Sequence, residues 1–263
     1  MLRSKLRSLQ NISNFNPDLF TTKSSKDAVN ILRKYGVVVV RNAFAEEELF
    51  LKIDKQVINN LIKSPFKYSD NYELLKGAHK RGKKKSYIKS KSKFEYIDKG
   101  IIDVHNIDIK DLLGSSFFSI KEKCANIVNN SFPKKFRKES YFNLYYYNNV
   151  YEPRAFHRDS QINRIKCFIP LTPCQNIENG PYAIFPGSYN RRILNLIEFL
   201  TNKLIGSDIG DGDLDATLTS YKKLIPIFYN QGDLIITRQD NIHGDFPCKE
   251  DFSRASLVLN MFQ

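Results

Sequence analysis

The chain predicts a mainly β protein with flanking helices, its core an all-β sandwich or jelly roll, and three observations carry that expectation. Hydrophobic residues recur at helical spacing in the first third and switch to short extended runs from about Tyr141 onward. Gly, Pro and Asn clusters then punctuate those runs at close intervals, as the turns of a sandwich or jelly roll do. A His-x-Asp at His157 and Asp159 is answered by a distant His243, so that residues far apart in sequence share one chemistry.

In chain order, Ala28, Ile31, Leu32 and Tyr35 lie on one helical face, and Gly36 ends that helix. Val37-Val38-Val39-Val40 is a β-branched run suited to a buried strand. Glu46, Glu47 and Glu48 open a second helix, with Leu49, Ile53, Val57 and Leu61 as its apolar stripe. A further helix is expected over 109–129, carrying Leu113, Phe117, Ile120, Cys124 and Ile127, with Gly114 weakening its start. Strands follow at Tyr141–Tyr147, closed by Asn148-Asn149, and at Ile165–Leu171. Asn179-Gly180-Pro181 turns the chain into Tyr182–Phe185, which Pro186-Gly187-Ser188 ends. One helix with Ile193, Ile197, Leu200 and Leu204 on a single face interrupts the strands. The last strands are expected at Ile225–Phe228, Leu234–Ile236 and Ala255–Asn260. This reads as one domain over 1–263, with helices, sheet strands and a basic loop in 1–135 and the jelly roll in 136–263.

At 263 residues the chain can bury roughly three quarters of its unfolded surface, so it needs no disulfide or structural metal to fold. Cys124, Cys167, Cys174 and Cys248 form no C-x-x-C pair and read as free, mostly buried thiols of a reducing compartment. No stretch reaches the roughly 18–20 apolar residues of a membrane span, and a cytoplasmic location is the expectation. The formal net charge is +13, and nine Lys or Arg without an acid fall between Lys76 and Lys93. Such a block is a solvated loop, or a rim that steers an anionic substrate, a phosphorylated carrier or an acidic partner. Only Tyr87 and Phe94 offer aromatic surface near it, which argues against nucleic acid.

On an extended strand, residues two apart point to the same face, so His157 and Asp159 present two donors together while Arg158 faces away. His243 from another strand completes a 2-His-1-carboxylate set, which caps one face of an octahedral Fe(II) and leaves positions for an organic acid and O2. His157-Arg158-Asp159 also opens a protein-kinase catalytic loop, but the Asn required five residues later is Arg164 here. Asp211 to Asp215 begins like a calcium loop, yet Ala216 and Lys222 stand where that loop needs Gly and Glu.

The run from Tyr35 to Leu49, Phe156-His157-Arg158-Asp159, the stretch Asn179–Ser188 and the stretch from Gly232 through His243 to Asn260 together resemble the phytanoyl-CoA dioxygenase-like branch of the Fe(II)/2-oxoglutarate oxygenases. The match covers most of the chain, and its specificity lies in the order and spacing of the pieces. It implies a distorted double-stranded β-helix, the cupin-like jelly-roll geometry, and a dioxygenase that decarboxylates 2-oxoglutarate to succinate and CO2 while hydroxylating a second, small organic substrate, anionic or carrier-linked. It further implies that His157, Asp159 and His243 hold the iron and that Arg254 takes the far carboxylate of 2-oxoglutarate in a bidentate pair. Ser256, two residues along, adds a hydroxyl. With Fe(II), one Asp and a dianionic co-substrate the cavity is left with one negative charge, which Arg254 cancels. Asn143, Tyr145 and Tyr147 share a strand face that lines the cavity or simply packs, and Gln161 and Lys166 are candidates to meet co-substrate or substrate. Asp245 stands where relatives carry a small hydroxyl residue. Retention of the Asp159 carboxylate points to hydroxylation or desaturation rather than halogenation. A macromolecular hydroxylase using the 76–93 segment, and a catalytically silent metal-binding sensor, are the alternatives.

Overall fold

The structure, a computed structural model, describes residues 17–44, 73–74, 89–90, 101–107, 116–138, 142–151, 153, 156–159, 163–204, 214–216, 223–248 and 252–263. The expected helix from Glu46, nearly all of the Lys76–Lys93 segment, Gln161 and the loop before Leu214 lie outside these residues. The helices are α1 (Ser25–Tyr35), α2 (Ser116–Ser131) and α3 (Arg192–Leu204). The strands are β1 (Thr21–Thr22), β2 (Val37–Val40), β3 (Glu73–Leu74), β4 (Lys89–Ser90), β5 (Ile101–Ile107), β6 (Arg137–Lys138), β7 (Phe142–Asn148) and β8 (His157–Arg158). They continue as β9 (Arg164–Pro170), β10 (Tyr182–Ile184), β11 (Leu214–Asp215), β12 (Ile225–Pro226), β13 (Leu234–Arg238), β14 (His243–Asp245) and β15 (Ser253–Phe262).

α1 forms where it does because both of its ends are satisfied. The Ser24 hydroxyl accepts from the Asp27 N–H at the start, and Gly36 at φ 69° returns its N–H to the Leu32 carbonyl at the end. Ala28 and Leu32 are its buried residues, as their spacing predicts. α2 begins at Ser116, past Gly114, and buries Phe117, Ile120, Cys124 and Ile127. The Arg33 guanidinium donates to the carbonyls of Ser131 (3.1 Å) and Asn130 (3.0 Å), placing a cation on the C-terminus of α2. α3 presents Ile193, Leu196, Ile197 and Leu200 to solvent, so the stripe read from the sequence exists but is not a core face.

Two sheets face each other. The larger runs β1-β2-β13-β9-β15-β7-β5-β3, with β4 on β5 and β6 on β15; the smaller runs β11-β8-β14-β10-β12. β7, β9, β13 and β15 opposite β8, β10, β12 and β14 make the jelly roll that the turn spacing predicts. Alternation along each strand of the large sheet sorts its side chains. Val38, Val40, Leu144, Cys167, Ile169, Leu257 and Leu259 pack outward against α1 and α2 in the main hydrophobic core. Val37, Val39 and Ile235 point the other way and meet Tyr182, Ile184 and Ile227 of the smaller sheet. Each such fully buried aliphatic side chain contributes about 1.5–3 kcal/mol, which is why β2, four valines buried on both faces, fixes the N-terminal segment to the jelly roll. Asp233 locks that junction by accepting from Arg41 Nη1 (2.6 Å) and from the backbone N–H groups of Asn42 and Asn230 (both 2.9 Å).

Candidate active site

β8 and β14 are antiparallel neighbours with His157 directly opposite His243. Their rings lie 4.7 Å apart, and both Nε2 atoms face Oδ1 of Asp159, at 3.2 Å from His157 and 3.5 Å from His243. The donor atoms of the three residues fall within 4.8 Å of one another, and all three residues are buried. This is the one such group of His, Cys, Asp or Glu among the described residues. Two neutral imidazoles and one carboxylate converging from one side form a facial donor set for a divalent transition metal. Strand β14 needs a glycine here, because a Cβ on Gly244 would lie 2.8 Å from the Phe156 ring.

The surrounding groups aim and charge these donors. His243 Nδ1 is 2.8 Å from the Asn241 carbonyl, so it carries the proton and leaves the Nε2 lone pair directed at Asp159. Asn241 is itself held, its side-chain amide donating to the carbonyls of Tyr35 (3.3 Å) and Gly36 (3.2 Å) while its oxygen accepts from the Tyr189 N–H (3.1 Å). Asp159 donates its backbone N–H to Gln239 (3.0 Å), and its Oδ2 accepts from Lys166 Nζ at 2.6 Å. Burial opposes ionisation of Asp159, but the Lys166 ammonium beside it outweighs that cost and holds the carboxyl well below its usual range. For Lys166, burial pulls the other way, and Asp159 foremost keeps the ammonium protonated, its pKa raised. Arg158 faces away from the donors, as strand alternation requires, and is buried. It bonds Glu198 of α3 (3.4 Å) and the carbonyls of Ser188 and Asp240, tying α3 to β8, the strand that carries His157.

The second group of candidate residues is built on β15. Arg254 is buried and stacks on the Tyr147 ring, with its Cζ 3.8 Å from the centroid. Its Nη1 donates to the Tyr229 hydroxyl at 3.4 Å, and its Nη2 makes an ion pair with Asp245 Oδ1. Burial works against the Arg254 cation, and Asp245 more than restores it, raising its pKa. A cleft lined by Tyr147, Val150, Phe246, Cys248 and Phe252 reaches Arg254. Ser256 follows on the same strand face, opposite Tyr145, and is buried. Phe168 packs on Tyr145 (6.2 Å) and on Tyr182 (5.6 Å), and Tyr182 lies 5.6 Å from the His243 ring.

Of the sequence candidates, His157, Asp159 and His243 meet at one point, and Lys166 joins them through Asp159 rather than standing apart. Arg254 sits on β15, with Tyr147 stacked on it and Ser256 two residues along its strand. Asn143 is buried on the interior face of β7, and Tyr145 lies within cation–π range of Lys166 (5.5 Å). Gln161 lies outside the described residues. Sequence reasoning missed Asn241 as the group that aims His243, Glu198 as the partner of Arg158, Tyr182 as the wall beside His243, and the direct pairing of Asp245 with Arg254. The Asp at position 245, a charge in place of a hydroxyl, was the one available signal.

The chain is similar in structure to proteins determined with 2-oxoglutarate bound or described as dependent on it, at sequence identities that establish the shared fold alone. HygX from Streptomyces hygroscopicus, determined with nickel and 2-oxoglutarate bound, aligns at 11% identity and TM-score 0.52, over 90% of this chain and 86% of HygX. The non-heme alpha-ketoglutarate-dependent carbocyclase SnoK of nogalamycin biosynthesis aligns at 12% identity and TM-score 0.56, covering 96% and 85%. The epimerase SnoN, in complex with Fe3+, alpha-ketoglutarate and nogalamycin RO, gives 11%, 0.53, 91% and 83%. No family model and no curated protein sequence matches the chain.

Proposed function

We propose that the chain is an Fe(II)- and 2-oxoglutarate-dependent dioxygenase of the phytanoyl-CoA dioxygenase-like kind, hydroxylating a small organic substrate and releasing succinate and CO2. One observation carries this reading: two imidazoles and a carboxylate, all buried, converge to within 4.8 Å at one point of the jelly roll. The donor set fits Fe(II) in type, number and facial disposition. Bound there, iron would supply the redox chemistry that couples oxidative decarboxylation of the co-substrate to oxidation of the second substrate.

The chain's own residues have distinct tasks. His157, Asp159 and His243 hold the ion. The Asn241 carbonyl keeps His243 in the tautomer whose Nε2 can ligate. Lys166 occupies Oδ2 of Asp159, leaving Oδ1, the oxygen nearer both histidines, for the metal. Arg254, with Ser256 on the same face, is the group to receive the distal end of the co-substrate. Tyr145, Phe168 and Tyr182 wall the space between and exclude water. Among proteins of the same fold, HygX has been determined with hygromycin B bound and SnoN with nogalamycin RO, which supports a small-molecule substrate. Four buried free thiols agree with a reducing, cytoplasmic setting, and no helix among the described residues is long and apolar enough to cross a membrane.

The test is an anaerobic titration of metal-free protein with Fe(II) and 2-oxoglutarate. The expected outcome is one iron per chain and a weak visible charge-transfer band, both lost in His243→Ala. Iron binding without the band would remove 2-oxoglutarate from the reading. Because similar structures include an epimerase and a carbocyclase, products are best read by mass. A gain of one oxygen marks hydroxylation, loss of two hydrogens marks ring closure or desaturation, and an isomer of unchanged mass marks epimerisation.

A further inference from the structure

The co-substrate end of the pocket is already charge-paired. Arg254 is the sole cation seen there among the described residues, and its Nη2 is taken by Asp245 Oδ1, with the Arg254 side chain buried and that of Asp245 partly so. The pair is held in place: Tyr147 stacks on the guanidinium, the Tyr229 hydroxyl meets Nη1, and β14 and β15 position the partners. Asp245 lies two residues beyond His243 on one strand, so it faces the same cavity as the metal ligand. A second carboxylate arriving at Arg254 would bring two anions to one buried guanidinium, with oxygen facing oxygen and no proton between them.

We propose, resting on the oxygenase reading above, that Asp245 makes this pocket select its 2-oxo acid by the hydrogen-bonding character of the far end rather than by a second negative charge. A terminal carboxamide complements the pair: its carbonyl accepts from Arg254 and its N–H donates to the Asp245 carboxylate. A carboxylate can do only the first. The ligand class assigned is therefore 2-oxo acids with a neutral, donor-bearing terminus, competing with 2-oxoglutarate on near-equal terms.

The test uses a matched, unreactive pair, N-oxalylglycine and N-oxalylglycinamide, titrated calorimetrically and without oxygen into the Fe(II)-loaded full chain. In the wild type the amide is expected to bind within about threefold of the acid, or more tightly. Asp245→Ser is expected to shift the ratio of the two Kd values at least tenfold toward the acid. Asp245→Asn, which keeps the shape and removes the charge, is expected to shift it the same way and serves if the serine variant folds poorly. A wild type that prefers the acid by tenfold or more, with the ratio unchanged in both variants, overturns the proposal and leaves the oxygenase reading standing. Iron-loaded protein that binds neither compound nor 2-oxoglutarate overturns both.

Discussion

Asp159 serves two structures at once. To the proposed metal it offers Oδ1; to the metal-free fold it is the counter-ion of Lys166, an ammonium buried on the interior face of β9. Removing one member of a buried pair strands the other, at a cost of about 3–5 kcal/mol. Asp159→Ala is therefore expected to destabilise metal-free protein by about that amount, and adding Lys166→Met to restore most of it, while neither variant binds iron. Urea denaturation and iron titration of both variants separate the two roles, and a double variant no more stable than Asp159→Ala would break the link. At this scale the sequence revealed what metal chemistry demands by residue type: His157, Asp159 and His243 are few and distinctive. It could not reveal the pairing of Lys166 with Asp159 or of Asp245 with Arg254, because any of many lysines and acids satisfies such a pair and only strand register selects one.

Among the elements, the corner between α1 and β2 reaches further than its position implies. Gly36 closes α1 at φ 69°, and its carbonyl holds the Asn241 amide, whose own backbone carbonyl orients His243. A Cβ at Gly36 would overlap Asn241 Nδ2 and also press on the Tyr189 ring. Gly36→Ala is expected to cost about 1–2 kcal/mol for the left-handed backbone alone. It is also expected to weaken metal binding, although no ligand is touched. Thermal denaturation and iron titration read the two effects, and a variant with normal iron affinity would show that His243 is aimed by other means. The helix and its glycine stop were legible because a 3.6-residue stripe followed by Gly is a local pattern. The bond to Asn241 spans more than two hundred residues and leaves no local trace. α3 shows the converse: its apolar face is plain in the sequence, yet Glu198, on another face, is the residue it buries to anchor to Arg158.

For the whole molecule, the interior sets how stability answers to alkali. Burial pushes the Cys174 thiol up to about 11 from an ordinary 9.0 and raises Cys167 and Tyr182 well above their ordinary values. Tyr229 is raised by the same cause, against the pull of Arg254. These groups keep protons in the folded chain that the unfolded chain gives up, so each makes stability fall as pH rises from the unfolded value through the folded one. Metal-free protein is thus expected to lose stability steadily from about pH 9 upward, with Cys174 alone responsible for part of the decline between about 9 and 11. Denaturation midpoints measured across that range check it, and Cys174→Ala should flatten the curve. The jelly roll itself was legible because short extended runs and Gly, Pro and Asn turns repeat along the chain; which strands would be neighbours was not, since that depends on contacts between distant segments.

The pairing of β2 with β13 has a kinetic side. Val37–Val40 must wait for Leu234–Thr237, nearly two hundred residues later, before this pairing can form. Closing a loop of that length is slow, and contact order of this kind places folding toward milliseconds to seconds. Until it closes, the molecule carries a run of four valines with no charge among them and an unpaired edge on β13, each a template for another chain. Refolding yield should therefore drop with protein concentration well before the native protein shows any tendency to associate.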